Sequence, residues 1–376
     1  MENNQIVLPF MENNYYLTKQ LITYIGNKRK LLNFIESSVL DIQTELGRKL
    51  TMFDGFAGSG CVSRLFKQYS DMVISNDLES YSYNVTKTFL RNSDTIDYVY
   101  LQNIIDKLNL NKFTDKYGVG IIEKYYAPKD TNNIQLGERC FYTNENAKII
   151  DNIRRSIDEC VDDDYKDILI SLLILKASIN TNTSGVFKGF YKSSETKKGQ
   201  FGGNGRNALE RIMGEISLEN IVLSNYNCKS IVYQKDANEL VKELNDIDVA
   251  YYDPPYNQHP YGSNYHMLNT IVNYKEPDEI SKISGIPTDW NKSNYNKRDS
   301  TIESLDQLIK HTNAKYILLS YNNEGLITSD EMRDILSKYG KVTLKKQNYN
   351  TFRGSRNLNN RNLKVKELLW VLKKLK

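Results

Sequence analysis

An aspartate, two prolines and a tyrosine close an apolar run, Val249-Ala250-Tyr251-Tyr252-Asp253-Pro254-Pro255-Tyr256. A β-prone run of this kind delivers its last residue to the carboxyl edge of a sheet, where open α/β folds bind ligands. The prolines remove two N–H donors, fix φ twice and leave carbonyls to accept. Asp253 adds a side-chain acceptor and Tyr256 a ring face. Together they form a device for holding a planar base by its amino group. Taken alone, the tetrapeptide also fits a strand running into a Pro-Pro turn, so its context must decide.

That context lies upstream. Met52-Phe53-Asp54-Gly55-Phe56-Ala57-Gly58-Ser59-Gly60-Cys61-Val62 reads as a short strand, a glycine-rich turn and a helix start. Glycines there allow positive φ and let a ligand approach the backbone. The turn is not the dinucleotide fingerprint, and it lacks the Lys-Ser/Thr of a phosphate-binding loop. A second strand, Met72–Ser75, then delivers Asn76-Asp77. An acid at the end of the second strand of such a sheet can take ribose hydroxyls.

In this order the segments resemble the Dam-like, class-alpha DNA adenine methyltransferases, which include modification enzymes of restriction systems. Tyr24-Ile25-Gly26-Asn27-Lys28-Arg29-Lys30-Leu31-Leu32 is similar to their amino-terminal cofactor motif. Lys235-Asp236-Ala237 is similar to the acid after the third strand. Tyr265–Thr270 and Leu319–Gly325 are similar to the segments after the catalytic turn and at the end of the fifth strand. The likeness runs from about Leu21 to the C-terminus, with nothing assignable over residues 91–220.

The resemblance implies methyl transfer from S-adenosylmethionine to the amino nitrogen of adenine in double-stranded DNA. Asp253 and the Pro254 carbonyl would accept the amino hydrogens, and Tyr256 would stack on a flipped base. Phe56, Ala57, Gly58 and Gly60 would pass under the methionine part of the cofactor. Asp54 would hold its ammonium, Asp77 its ribose and Asp236 its adenine amino group, while Lys28 would face its methionine end. Each of these acids also fits a helix cap or a surface charge. Tyr265 and His266 would border the pocket or touch the target strand, although a lone histidine is more often structural. A separately encoded restriction endonuclease is the partner such enzymes imply.

Composition narrows the classes. The chain has 376 residues, enough for about two domains, and 40% apolar residues, enough for a core. Its 50 Lys+Arg against 46 Asp+Glu leave a net charge of only +4, but the charge is uneven. Between Asp334 and Glu367 there is no acid, and lysines and arginines from Lys338 to Lys366 include Arg353 and Arg356. A second basic stretch, Lys188 to Arg211, holds Lys192, Lys197, Lys198 and Arg206. It also carries Phe187, Phe190, Tyr191 and Phe201, and rings among cations suit base stacking and phosphate contact. Either stretch also fits a solvated surface. Four scattered cysteines and three histidines make no disulfide framework and no metal set. Met1 to Phe10 lack a basic region followed by a long apolar one, so no secretory signal is expected, and the longest apolar run, Ile168–Leu175, is too short to span a bilayer. A reduced cytoplasm fits.

These elements predict a doubly wound α/β fold: a mostly parallel, seven-stranded methyltransferase (Rossmann-like) sheet with an inserted target-recognition lobe. Strands are expected at 230–233, 249–252, 316–320, 342–349 and 368–372, besides the two above, with an antiparallel edge formed by the last two. Helices are expected over 27–46, 62–69, 80–90, 144–160 and 164–179. Residues 18–90 and 213–376 would form the core, 91–212 the lobe, and 257–299 a smaller insertion after the catalytic turn. Two rivals remain: the same fold acting on cytosine in DNA or adenine in RNA, and an inactive nucleic-acid-binding module. By the same resemblance, in which cytosine enzymes more often carry serine there, aspartate at position 253 favours adenine, and the filled cofactor and catalytic positions argue against inactivity.

Overall fold

The computed structural model describes residues 11–206, 208–350 and 364–375. Seven apolar runs become strands: β1 (Leu50–Asp54), β2 (Ser70–Asn76), β3 (Lys229–Tyr233), β4 (Ile247–Tyr252), β5 (Ala314–Asn322), β6 (Gly340–Asn350) and β7 (Lys364–Lys374). The principal helices are α1 (Leu32–Leu46), α2 (Cys61–Phe66), α3 (Ser80–Phe89), α4 (Tyr98–Asn111), α5 (Asn144–Cys160), α6 (Asp163–Ile179), α7 (His266–Asn273) and α8 (Arg298–His311). The strands form one sheet in the order β3-β2-β1-β4-β5-β7-β6. Pairing is parallel from β3 to β5, and β7 runs antiparallel between β5 and β6. This is the expected doubly wound sheet with its antiparallel edge.

β4 is buried along its whole length, as a central parallel strand must be. Its side chains alternate between two cores. Val249 and Tyr251 pack with Val39, Leu65 and Phe66 on one face, and Ala250 and Tyr252 with Leu240, Leu305 and Leu308 on the other. From β1 the chain winds outward to β2 and β3, and from β4 it winds the other way to β5. The crevice at this reversal is where such sheets bind ligands. Asp54 lies opposite Tyr251, so the glycine turn after β1 and Asp253 after β4 leave the sheet side by side.

Helix limits differ from expectation at two places. Gly26 takes φ +77° and a single tight turn covers Arg29–Leu31, so α1 begins only at Leu32 rather than at residue 27. α2 stops at Phe66 rather than 69, because the chain turns directly into β2 and Ser70 Oγ donates to the Phe66 carbonyl at 2.7 Å.

The helices of residues 91–212 do not close a core of their own. Leu101, Ile105, Ile150, Ile153, Leu169 and Leu173 share one cluster with Val85 and Phe89 of α3 and with Leu268 and Ile271 of α7. α5 is started by the Thr143 hydroxyl, which accepts from Asn146 N–H. Among the described residues no helix is long and apolar enough to cross a membrane, and no group of three or more His, Cys, Asp or Glu could hold a metal.

Candidate active site

The crevice opens at the carboxyl ends of β1, β2 and β4 and encloses about 900 Å³, including open space at its mouth. Asp54, Phe56, Ala57, Gly58, Asp77, Asp236, Asp253 and Lys28 all line it. Gly60 sits behind Gly58 in the same turn and takes φ +70°. At Gly58, φ is +54° and an added Cβ would lie 2.8 Å from the Tyr24 ring, so only glycine fits there.

Asp54 is fully buried. Its Oδ2 accepts from Ser63 Oγ at 2.5 Å, and its Oδ1 has no partner. Burial pushes its carboxyl up to about 7, against the Ser63 hydrogen bond and with help from the nearby charges of Asp253 and Asp77. Such an unpaired buried oxygen suits a cationic ligand group. Asp77 instead shapes the turn: it accepts from Gly58 N–H at 2.7 Å and from Glu79 N–H at 2.9 Å. Burial raises its pKa, opposed by those backbone hydrogen bonds. Asp236 is exposed at the mouth and caps a short helix, accepting from Asn238 N–H at 2.8 Å. It is therefore a cap and a cleft residue at once.

Lys28 does more than face the cleft. It is 4% exposed, with its Nζ 3.0 Å from Asp253 Oδ1 and 2.9 Å from Glu367 Oε1. Asp253 is half-buried, so its carboxylate keeps lone pairs for a further donor beside the Lys28 ion pair. Burial pushes Asp253 up to about 6, opposed by Lys28 and reinforced by Glu367. Burial would lower Lys28, but the two carboxylates outweigh it and hold the ammonium charged, well above its ordinary range. The Tyr256 ring lies 5.7 Å from Lys28 Nζ and edge-on to Tyr321 at 6.0 Å. Pro254, buried, ties Asp253 to this turn.

Several residues here carried no role in the sequence reading. Glu367 stands at the mouth end of β7, where an acid before an apolar run was the only hint. Tyr24 stacks on Tyr261 at 5.0 Å and on Tyr265 at 4.9 Å, and Tyr24 and Tyr261 both line the cleft. Asn76 joins two strand ends: its amide donates to the Gly55 and Lys235 carbonyls at 3.2 and 3.0 Å. Glu79, pushed up to about 7 by burial, accepts from Asn269 and Asn291 and fastens residues 291–296 over the cleft.

Some expectations need correction. Tyr265 is fully buried, and its hydroxyl accepts from Ile25 N–H at 2.7 Å, so it supports Tyr24 instead of meeting DNA. His266, for which packing was the favoured reading, is packed inside as expected, its Nε2 donating to the Phe187 carbonyl at 3.0 Å, and burial pushes it down to about 4. Phe187 and Phe201 are buried in hydrophobic clusters and cannot stack on bases. The cations between them differ: Lys188, Lys192, Lys197 and Arg206 are exposed and Lys198 half-buried. Their loop is docked beside the cleft, where Phe187 N–H donates to Asn264 O at 2.7 Å. Arg211, by contrast, is spent on the carbonyls of Ile179 and Thr181.

The basic stretch from Lys338 to Lys366 is divided. Lys338 pairs with Asp306 at 3.0 Å and Lys345 with Asp41 at 2.8 Å, so these lysines neutralise surface acids. Lys338 and Lys341 also lie at the amino end of β6, away from the cleft. β6 runs in the same direction as β5, since both are antiparallel to β7, so Asn350 and Lys364 lie at the cleft edge. Arg353 and Arg356 fall between them, outside the described residues.

Residues 24–335 match the family described as D12 class N6 adenine-specific DNA methyltransferase. The type II methyltransferase M.NlaIII of Neisseria lactamica is 31% identical over 94% of this chain and 99% of its own. M.CviAII of Paramecium bursaria Chlorella virus 1 is also 31% identical, over 88% of this chain and 93% of its own. The modification methylase StsI of Streptococcus sanguinis is 30% identical over 93% of this chain, which spans only 52% of that longer protein. The ordered acids of the cleft, the match across most of the chain and these relatives agree: the chain belongs to the D12 class of N6 adenine-specific DNA methyltransferases.

Proposed function

We propose that this chain methylates N6 of an adenine flipped out of double-stranded DNA, with S-adenosylmethionine as donor, as the modification enzyme of a restriction system. The observation that carries the site assignment is the convergence of two strand-end carboxylates on one crevice: Asp54, fully buried with an Oδ1 that has no hydrogen-bond partner, and Asp253, half-buried beside the Lys28 ammonium. Their oxygens fit two different groups. Asp54 takes the cofactor ammonium, beside a glycine turn that admits the methionine part. Asp77 takes the ribose hydroxyls with the lone pairs left over from its backbone bonds. Asp236 accepts from the cofactor's adenine amino group at the open mouth.

When bound, S-adenosylmethionine supplies a methyl group on a cationic sulfur, already activated for transfer. The chain's own residues supply position and electrostatics. The N6 nitrogen is a poor nucleophile because its lone pair is delocalised into the ring. Asp253 and the Pro254 carbonyl accept its two hydrogens and draw the nitrogen towards a tetrahedral shape, freeing the lone pair. Tyr256 offers its ring to the flipped base, which cannot reach this crevice from within a duplex.

Lys188, Lys192, Lys197, Lys198 and Arg206 contact phosphates beside the cleft, and Arg353 and Arg356 are further phosphate contacts by residue type. Residues 91–212 read the target sequence, and a separately encoded endonuclease cuts the unmodified site. The test is expression in a methylation-free host followed by single-molecule sequencing. N6-methyladenine at one recurring sequence is expected, and none with Asp253→Ala. Methylcytosine, or no modified base from the parental chain, would rule the reading out.

A further inference from the structure

Glu367 lies outside every segment of the sequence that suggested chemistry, yet it is built into the catalytic corner. It is 4% exposed in a strand whose next residues, Leu368, Leu369 and Trp370, are core. A buried carboxylate is costly unless paired. Here Oε1 accepts from Ser320 Oγ at 2.7 Å and lies 2.9 Å from Lys28 Nζ. Lys28 in turn lies 3.0 Å from Asp253 Oδ1. One ammonium is thus shared by two carboxylates, leaving one negative charge in excess inside the protein. A Lys28–Asp253 pair alone would be neutral. The register explains the placement: Asn322, the last residue of β5, lies opposite Glu367, which brings the acid to the cleft edge.

We propose that Glu367 is a positioning residue for methyl transfer: it holds Lys28 against Asp253 and gives the buried triad its surplus negative charge. The proposal rests on Asp253 being the acceptor for the adenine amino group. As the N6 lone pair bonds to the methyl carbon, the carbon–sulfur pair stays on sulfur and N6 becomes cationic. The surplus charge stands where that positive charge develops, the arrangement that lowers a barrier most in a dry site. A proton then leaves N6 for the Asp253 carboxylate, which becomes a neutral acid, and passes on to solvent. Lys28 and Glu367 remain behind as a balanced pair. Without Glu367, Lys28 would serve Asp253 alone and make it a weaker base.

The groups around Asp253 allow a clean reading. Lys28, Glu367, Asp54, Tyr251, Tyr256 and Tyr261 face it from the surrounding elements. Burial holds the phenols of Tyr251 and Tyr261 well above their ordinary range, so both stay neutral. Asp54 is held ionised by the bound ammonium at saturating cofactor, so Asp253 is left to set the acid limb.

The experiment is single-turnover methylation of DNA from a methylation-free host, at saturating S-adenosylmethionine, across about pH 5 to about pH 9. Two charges about 6 Å apart couple by roughly 0.5 to 2 pH units between watery and protein-like surroundings. Glu367→Gln should therefore move the acid limb down by that amount and lower the plateau by about 3- to 100-fold. The KM for the cofactor should not change. Glu367→Met, which fills the space without a polar group, should do the same, and Glu367→Asp should return the limb towards its parental position. A parental limb in a folded Gln or Met variant would overturn the proposal. So would loss of fold in both, which would make Glu367 structural. Activity surviving in Asp253→Asn would instead sink the assignment of Asp253 on which this rests.

Discussion

Asp54, fully buried, and Asp253, half-buried beside Lys28, both stand at strand ends, and the roles proposed for them give their oxygens different partners that substitution should separate. Asp253→Ala is expected to reduce methylation by about 10²–10⁴-fold or more while leaving cofactor affinity nearly intact. Asp77→Ala should weaken cofactor binding by about 1–3 kcal/mol, since it loses a charged acceptor and frees the N–H groups of Gly58 and Glu79. Calorimetry on both variants decides, and equal losses of affinity would remove the distinction. A pH dependence follows at Asp54. Its pKa is raised to about 7, so protonation begins near neutrality and removes the charge that holds the ammonium. Cofactor affinity should be full above that value and fall about tenfold per pH unit below it. A titration flat between about pH 8 and about pH 6 would show that Asp54 does not meet the cation.

At the scale of elements, the loop between α6 and β3 is anchored by its aromatics and presents its cations. Phe187 and Phe201 sink into separate clusters, while Lys192, Lys197 and Arg206 stay at the surface. A loop pinned in this way can grip phosphates without ordering itself anew on binding. Neutralising Lys197, Lys198 and Arg206 together should weaken specific and non-specific DNA alike. It should also flatten the salt dependence by roughly 0.9 log units per lost contact for each tenfold change in salt. Binding measured across a salt series would show this. A parental slope in the triple variant would mean the loop is not on the phosphates and is better read as a cover over the cofactor. Lys338 and Lys345 give no such expectation, because each already has a carboxylate partner.

For the whole molecule, the helices of residues 91–212 and those packed beside the sheet bury one another. Leu173 of α6 lies in the cluster that also holds Val85 of α3 and Leu268 of α7. Leu173→Ala should cost about 2–5 kcal/mol through the cavity it leaves. The loss should be felt by the sheet as well, in one cooperative transition. With Trp290→Phe as background, Trp370 reports the sheet core alone. Its fluorescence and the helical signal should shift their denaturation midpoints together. Separate midpoints would make residues 91–212 an independently folding unit.

The sequence by itself determined the sheet and the order of its acids. Val249–Tyr252 reads as a buried strand because period and residue type act locally, and the turns after β1 and β4 announce themselves by glycine and proline. Asp54, Asp77, Asp236 and Asp253 could be named because each follows a strand, and strand ends share an edge. Only the tertiary structure decided what stands around them. Tyr265 looked like a contact for DNA and became a buried prop for Tyr24, since burial depends on which helix packs over it. The basic run from Lys338 looked like one patch, but an extended strand spreads it from one edge of the sheet to the other. Lys28, Asp253 and Glu367 meet across nearly the whole chain because β7 enters between β5 and β6 with its amino end at the cleft. A charge pair is fixed by distance in space, and no local pattern of residues records that distance.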